Sequence, residues 1–87
     1  MAGELDIVYF AWVKERLGRP EDRIAVPDGV STVGGLIDYL CQQDASYDQV
    51  FADRSRLRFA LDQQLVHADA KLDNSRELAI FPPVTGG

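Results

Sequence analysis

The residues with most chemistry to offer stand at the end of the chain, in Phe81-Pro82-Pro83-Val84-Thr85-Gly86-Gly87. Gly86 and Gly87 have no Cβ, so they can thread a channel too narrow for side chains and adopt backbone angles closed to other residues. Pro82 and Pro83 stiffen the base of the segment, which favours projection over folding back. Fully extended, the six residues after Phe81 reach roughly 20 Å. The one reactive group at the tip is the α-carboxylate of Gly87, ionised at neutral pH because its ordinary pKa is about 3.3–3.7. A carboxylate is a poor electrophile. Coupled to AMP it becomes a mixed anhydride with a good leaving group, and a sulfur donor can then displace the nucleotide to leave a terminal thiocarboxylate. That sulfur is a strong, soft nucleophile at neutral pH, for the reason that thiolates are. The segment therefore reads as a carried reagent, and the catalysis belongs to the enzymes it visits.

The rest of the chain offers little catalytic material. No Gly-x-Ser-x-Gly, His-Glu-x-x-His or phosphate-loop pattern occurs. The single cysteine, Cys41, falls on an apolar helical stripe and reads as a small core residue. One cysteine excludes an internal disulfide and a cysteine-ligated zinc or iron–sulfur site within one chain. The single histidine, His67, has no sequence neighbour to orient it as a base and reads as a loop residue. No metal site and no bound cofactor are expected. Arg54, Arg56 and Arg58 alternate along a predicted strand and read as a solvated face, with docking of an acidic partner as the alternative.

The elements that must position the tail follow from hydrophobic periodicity. The chain has 87 residues, 46% apolar and 26% charged, which is the balance of one ordinary globular domain. Its net charge of −5 argues against nucleic acid as the main partner. The longest apolar run, Ile7 to Val13, falls far short of the about 20 residues that a membrane span needs. The N-terminus is acidic and lacks the basic start of a signal peptide, so a cytoplasmic protein is expected.

Leu5 to Phe10 reads as a strand, with Leu5, Ile7 and Tyr9 on one face and Asp6, Val8 and Phe10 on the other. A short helical turn over Trp12–Leu17 ends at Gly18, and a second strand runs over Arg23–Val26. Ser31 or Thr32 caps the main helix, whose apolar stripe is Val33, Leu36, Ile37, Leu40 and Cys41. Close packing of the helix start on a sheet is the expected reason for Gly34 and Gly35. Ala45 to Asp53 is either loop or a short helical turn. Leu57, Phe59 and Leu61 mark a half-buried strand, followed by short strands at Leu65-Val66 and Glu77–Phe81. One long amphipathic helix covers one sheet face, giving a two-layer α+β domain with a mixed sheet. The other face keeps Val8, Phe10, Ala79 and Phe81, which are too apolar for a surface that meets only water.

These residues together resemble the family of small, sulfur-carrying subunits of molybdopterin synthase, which are ubiquitin-like β-grasp proteins. The resemblance spans nearly the whole chain. It runs through Val8-Tyr9-Phe10-Ala11, Lys14-Glu15-Arg16-Leu17-Gly18, Thr32-Val33, Leu36 and Ala60-Leu61-Asp62-Gln63, and it ends in Leu78 to Gly87. The final Phe-Pro-Pro-Val-Thr-Gly-Gly is its most specific part. It implies a single β-grasp domain over residues 1–81, with about five strands and one main helix, and an extended tail over residues 82–87. It further implies that an ATP-dependent activating enzyme adenylates Gly87 and that a sulfurtransferase system supplies the sulfur. The tail then enters the large catalytic subunit of a heterotetramer and donates sulfur to a cyclic pyranopterin. By position, Phe10, Leu65 and Phe81 match the family's apolar docking surface, and the strand parity independently leaves Phe10 and Phe81 uncovered. The turn before the last strand departs from the family's Asp-Gly-Asp: it reads Asn74-Ser75-Arg76, with Asn74 able to take a left-handed conformation. The alternatives are a related carrier for thiamine, cysteine or tRNA thiolation, a modifier joined to lysines, and a plain binding module with an idle tail.

Overall fold

The computed structural model describes residues 3–83. Strand β1 (Glu4–Tyr9) is followed by helix α1 (Ala11–Leu17) and strand β2 (Glu21–Ala25). Helices α2 (Val33–Gln43) and α3 (Ala45–Phe51) come next, then a 3-10 turn over Arg54–Arg56. Strands β3 (Arg58–Leu61), β4 (Gln64–Val66) and β5 (Glu77–Phe81) complete the chain. The five strands form one sheet in the order β2-β1-β5-β3-β4. Only β1 and β5 are parallel; the other neighbours are antiparallel. This is the mixed-sheet β-grasp expected above.

The alternation in β1 works as read: Leu5, Ile7 and Tyr9 are buried. They meet Leu78 and Ile80 of β5, Phe59 and Leu61 of β3, and the stripe Val33, Leu36, Ile37 and Leu40 of α2 in one core. Thr32 caps α2 by accepting from the Gly35 N–H at 3.0 Å. Gly34 has a different reason from the expected one. Its N–H donates to the Ala68 carbonyl at 2.7 Å, and a Cβ there would sit 3.2 Å from that oxygen. The segment after β4, not the sheet, makes the close approach.

Several boundaries shift, for local reasons. β2 begins at Glu21, ahead of the predicted Arg23, because the Pro20 carbonyl already accepts from the Tyr9 N–H at 2.9 Å. The ambiguous stretch after α2 is helical. Asp44 caps it by accepting from the Ser46 N–H at 2.8 Å, and Tyr47, Val50 and Phe51 bury one side. The helical layer thus has three helices, the long α2 flanked by the short α1 and α3, and not the one main helix expected. Arg54 to Arg56 form a turn capped by Asp53, so β3 starts at Arg58 and the three arginines do not line one strand face. The β3–β4 hairpin turns through Asp62 and Gln63, both left-handed at φ 48° and 72°, as a two-residue hairpin with right-handed strand twist requires. The Asp62 carboxylate secures this turn by accepting from the Arg76 and Glu77 N–H groups at 2.9 and 3.0 Å. In the turn before β5 the left-handed residue is Asp73, at φ 45°, and not Asn74.

A polar cluster holds the end of β1. Tyr9 and Tyr47 hydroxyls both donate to the Asp22 carboxylate, at 2.8 and 2.7 Å. The Arg19 Nε donates to both Asp22 oxygens at 2.8 Å, and its Nη2 donates to the Tyr47 hydroxyl at 2.8 Å. Burial opposes ionisation of Asp22, but donation from Tyr47, Tyr9 and Arg19 outweighs it and holds the carboxyl below its ordinary value. Burial and the Asp22 carboxylate push the Tyr9 phenol far above its usual range. The cluster joins β1, β2 and α3 directly behind Phe10.

Because the folded pKa of Asp22 is depressed, its contribution is present above the unfolded value of about 3.9 and is lost as pH falls through the folded value. Asp22→Asn is expected to cost about 1.5–3 kcal/mol at pH 7. In urea titrations the gap between variant and parent should stay level down to about pH 5 and close in stronger acid.

Candidate functional site

The helical layer leaves one sheet face open. Strand register places Glu21, Val8, Ala79, Ala60 and Leu65 side by side across all five strands on that face. Small side chains at the centre make a shallow floor. One row toward the N-terminal end of β1 the surface turns charged, with Asp6 beside Glu77 and Arg23, and Arg23 Nε 2.7 Å from the Asp6 carboxylate. One row the other way lies Phe81, opposite Arg58 of β3. Phe10 stands next to it, its N–H donating to the Ile80 carbonyl at 3.1 Å. The floor is therefore bounded by charge at one end and by two phenyl rings at the other.

The three predicted docking residues all reach this surface, but not as one tight cluster. Phe10 is 49% exposed and Leu65 73% exposed, the two large apolar side chains most open to solvent among the described residues. Phe81 is half-buried beside Phe10, and Leu65 lies on the edge strand, two strands from β5. Pro82 and Pro83 leave the end of β5 half-buried. The predicted tail residues Val84, Thr85, Gly86 and Gly87 lie outside the described residues.

Phe10 is costly to keep in this place. It is the N-cap of α1 and makes no side-chain capping bond, where Ser, Thr, Asp or Asn would satisfy an orphan N–H. Ala11, next to it, is left-handed at φ 55°, a conformation that disfavours an L-residue by about 1–2 kcal/mol. The turn at Ala11 carries the chain from the sheet into α1 and leaves Phe10 at the sheet face. Local stability is given up where an exposed phenyl ring stands beside Phe81 at the end of β5.

The other candidates are poor reagents. Cys41 is only partly buried, and burial pushes its thiol up and away from thiolate chemistry. His67 is exposed at the start of the turn closed by the Ala70 N–H, which donates to the His67 carbonyl at 3.0 Å. It borders a groove of about 480 Å³ whose wall also includes Arg54 and Arg58 ahead of and at the start of β3, and Leu65 of β4. Among the described residues no group of three His, Cys, Asp or Glu side chains is placed to hold a metal ion, and no helix is long and apolar enough to cross a membrane. The sequence reading missed Trp12. Its ring lies under two guanidiniums, Arg16 at 5.2 Å and Arg56 at 4.9 Å. The spacing of Trp12 and Arg16, one helical turn, was the available signal.

A mixed five-stranded sheet with one face left open by its helices, whose central last strand ends at Pro82 and Pro83 beside Phe10 and Phe81, defines a β-grasp domain. A sequence model of the ThiS family matches residues 7–87, and the chain belongs to that family. It is 30% identical over 83 residues to the molybdopterin synthase sulfur carrier subunit of Haemophilus influenzae, covering 95% of this chain and 99% of that one. Identity to the Escherichia coli protein of the same name is 32%, with the same coverage. Among solved structures, SAMP1 from Haloferax volcanii matches with a TM-score of 0.74 at 29% identity, covering 98% of this chain and all of that chain, 100%.

If Phe10 serves recognition and not folding, Phe10→Ser should leave the unfolding free energy unchanged or raise it by up to about 1 kcal/mol through a new N-cap bond. Leu65→Ser should stay within about 0.5 kcal/mol of the parent. Thermal and urea denaturation check both; a loss of several kcal/mol would make these residues core.

Proposed function

We propose that this chain is a sulfur carrier of molybdenum cofactor synthesis and that the carboxylate of Gly87 is its working group. An activating enzyme supplies ATP; a carboxylate oxygen attacks the α-phosphorus, and pyrophosphate leaves. A sulfurtransferase system then delivers sulfide-level sulfur, its persulfide having been reduced by a thiol; the sulfur bonds to the acyl carbon, and AMP departs. The resulting thiocarboxylate enters the large subunit of molybdopterin synthase, its sulfur bonds to a carbon of the cyclic pyranopterin, and water cleaves the acyl–sulfur bond, leaving the sulfur on the pterin and returning Gly87 as a carboxylate. Among the described residues no group of three His, Cys, Asp or Glu side chains is placed to hold a metal for these steps. The domain's contribution is binding and aim.

One observation carries this reading. The last strand lies at the centre of the sheet and ends beside the exposed Phe10, so the segment ending in Gly86-Gly87 starts from the edge of an apolar docking face. A partner that covers this face receives the tail at a fixed origin. Rigid placement of that origin favours transfer, because it lowers the entropy lost in bringing the reacting ends together. The names of the bacterial relatives agree with the pathway. The likeness to SAMP1, which belongs with the small archaeal modifier proteins, supports a second reading in which Gly87 is joined to lysines of other proteins.

The two readings part after activation. Intact mass of the cellular protein should reveal one terminal oxygen replaced by sulfur, and no higher-mass conjugates that release this chain on isopeptide cleavage. Removal of Gly87, or addition of one residue after it, should abolish sulfur transfer to the pyranopterin in a reconstituted assay without changing the melting temperature. Phe81→Ala should weaken binding to the large subunit about tenfold or more, as truncation of a buried aromatic anchor does, with the fold retained. Failure to bind that subunit with an intact tail would favour another pathway.

A further inference from the structure

We propose that Arg16 and Arg56, stacked on Trp12, together with Arg58 opposite Phe81, dock an acidic segment of the enzyme that receives the tail. The inference rests on the carrier reading, since the occupant is a tail-receiving enzyme, and it adds the chemistry of that enzyme's rim.

The topology puts these residues in one place. β5 lies between β1 and β3. β1 passes into α1 at the end where β5 stops, and the Arg54–Arg56 turn leads into β3 at the same end. α1 and the turn therefore flank the point where the chain leaves the sheet. Trp12 of α1 and Arg56 of the turn are in stacking contact, which ties the two flanks together. Arg16 lies over the same indole, and Arg58 is the register partner of Phe81.

The charges here are held without being neutralised. Three other arginines have carboxylate partners: Arg19 with Asp22, Arg23 with Asp6, and Arg54 with Asp38. Among the described residues no carboxylate lies within ion-pair distance of Arg16, Arg56 or Arg58. The Arg58 Nη1 is fixed by the Leu57 and Ser55 carbonyls at 2.8 and 3.2 Å. A guanidinium stacked on an aromatic face keeps its in-plane N–H donors free, and those donors match a carboxylate in paired geometry. The nearest acids along the chain are Glu15 on α1 and Asp53, whose carboxylate is engaged in accepting from the Ser55 N–H.

Charge balance selects the partner. The chain as a whole carries −5, so its remaining surface repels an acidic partner and leaves this end as the place of attraction. The same excess opposes a polyphosphate backbone, which spreads negative charge over a far longer track than three arginines span. A short acidic segment at the mouth of a tail-receiving channel fits. It would steer the carrier tail-first, with the apolar face closing afterwards.

The test uses the full-length chain with its cognate large subunit and, separately, its cognate activating enzyme. Titrations run at about 0.1 M and about 1 M salt, where the screening length falls from about 10 to about 3 Å. The Arg16→Gln/Arg56→Gln double variant is expected to bind at least one of the two enzymes about tenfold more weakly at low salt and to converge with the parent at high salt. Arg16→Lys/Arg56→Lys, which keeps the charge but loses the stacking and the paired donors, should fall between the parent and the Gln variant at low salt. Melting curves confirm that each variant is folded. Equal affinity of parent and Gln variant for both enzymes at low salt would overturn the inference, as would a loss of the same size at both salt concentrations. A labelled tRNA bound by the parent and lost by the Gln variant, with enzyme affinity unchanged, would assign the cluster to nucleic acid instead. If the folded parent binds neither enzyme, the carrier reading itself falls, and this inference with it.

Discussion

The parallel pairing of β1 with β5 is the constraint on which the rest of the structure depends. It brings the first and last strands together at the middle of the sheet, in the register Ile7 to Leu78 and Tyr9 to Ile80. A parallel pair cannot be closed by a tight turn, so everything between the two strands must cross over. α2 and α3 make that crossing on one face, and their apolar sides bury the inward residues of both strands. The opposite face is left bare by the same geometry. The open face and the placement of the last strand's end are two results of one pairing.

Energy is distributed unevenly to suit this. The covered face is fully apolar and close-packed around residues such as Ile7, Leu36, Leu78 and Ile80, none of which retains measurable exposure at 0%. The Tyr9, Asp22, Tyr47 and Arg19 cluster then pins the end of β1 by charge-assisted hydrogen bonds, which are stronger than neutral ones. Just beyond that anchor the chain accepts a left-handed alanine and an uncapped helix start. Stability accumulates behind the sheet and is spent in front of it, where the Phe10 ring stays exposed.

Much of this was legible in the residues. Alternation in β1 and β5 assigned the inward and outward faces correctly, because a half-buried strand has a strict two-residue period. The stripe from Val33 to Leu40 fixed the long helix, since several turns of periodic signal outweigh two glycines in its first turn. α3 was hidden: Tyr47, Val50 and Phe51 give a single turn of pattern, too brief to separate from a loop. The arginine alignment misled for a related reason. Arg54, Arg56 and Arg58 show a strand-like spacing, but Asp53 captures the Ser55 N–H and curls the chain before β3 begins. Side-chain competition for backbone donors is local, and period counting does not register it. Gly34 was understood in kind but not in location, because its contact, the Ala68 carbonyl, is distant in sequence. The reading of the tail rests on covalent chemistry and not on packing, and Val84 to Gly87 lie outside the described residues.

The position of Trp12 has an optical consequence. The chain contains one tryptophan, and it sits under two guanidiniums at the tail's exit. Indole emission shifts with local polarity and nearby charge, so one chromophore reports on that doorway alone. Encounters with other proteins become visible as wavelength and intensity changes in unlabelled material. Unfolding, which separates α1 from the turn before β3, gives a different spectrum from docking, which adds atoms to both.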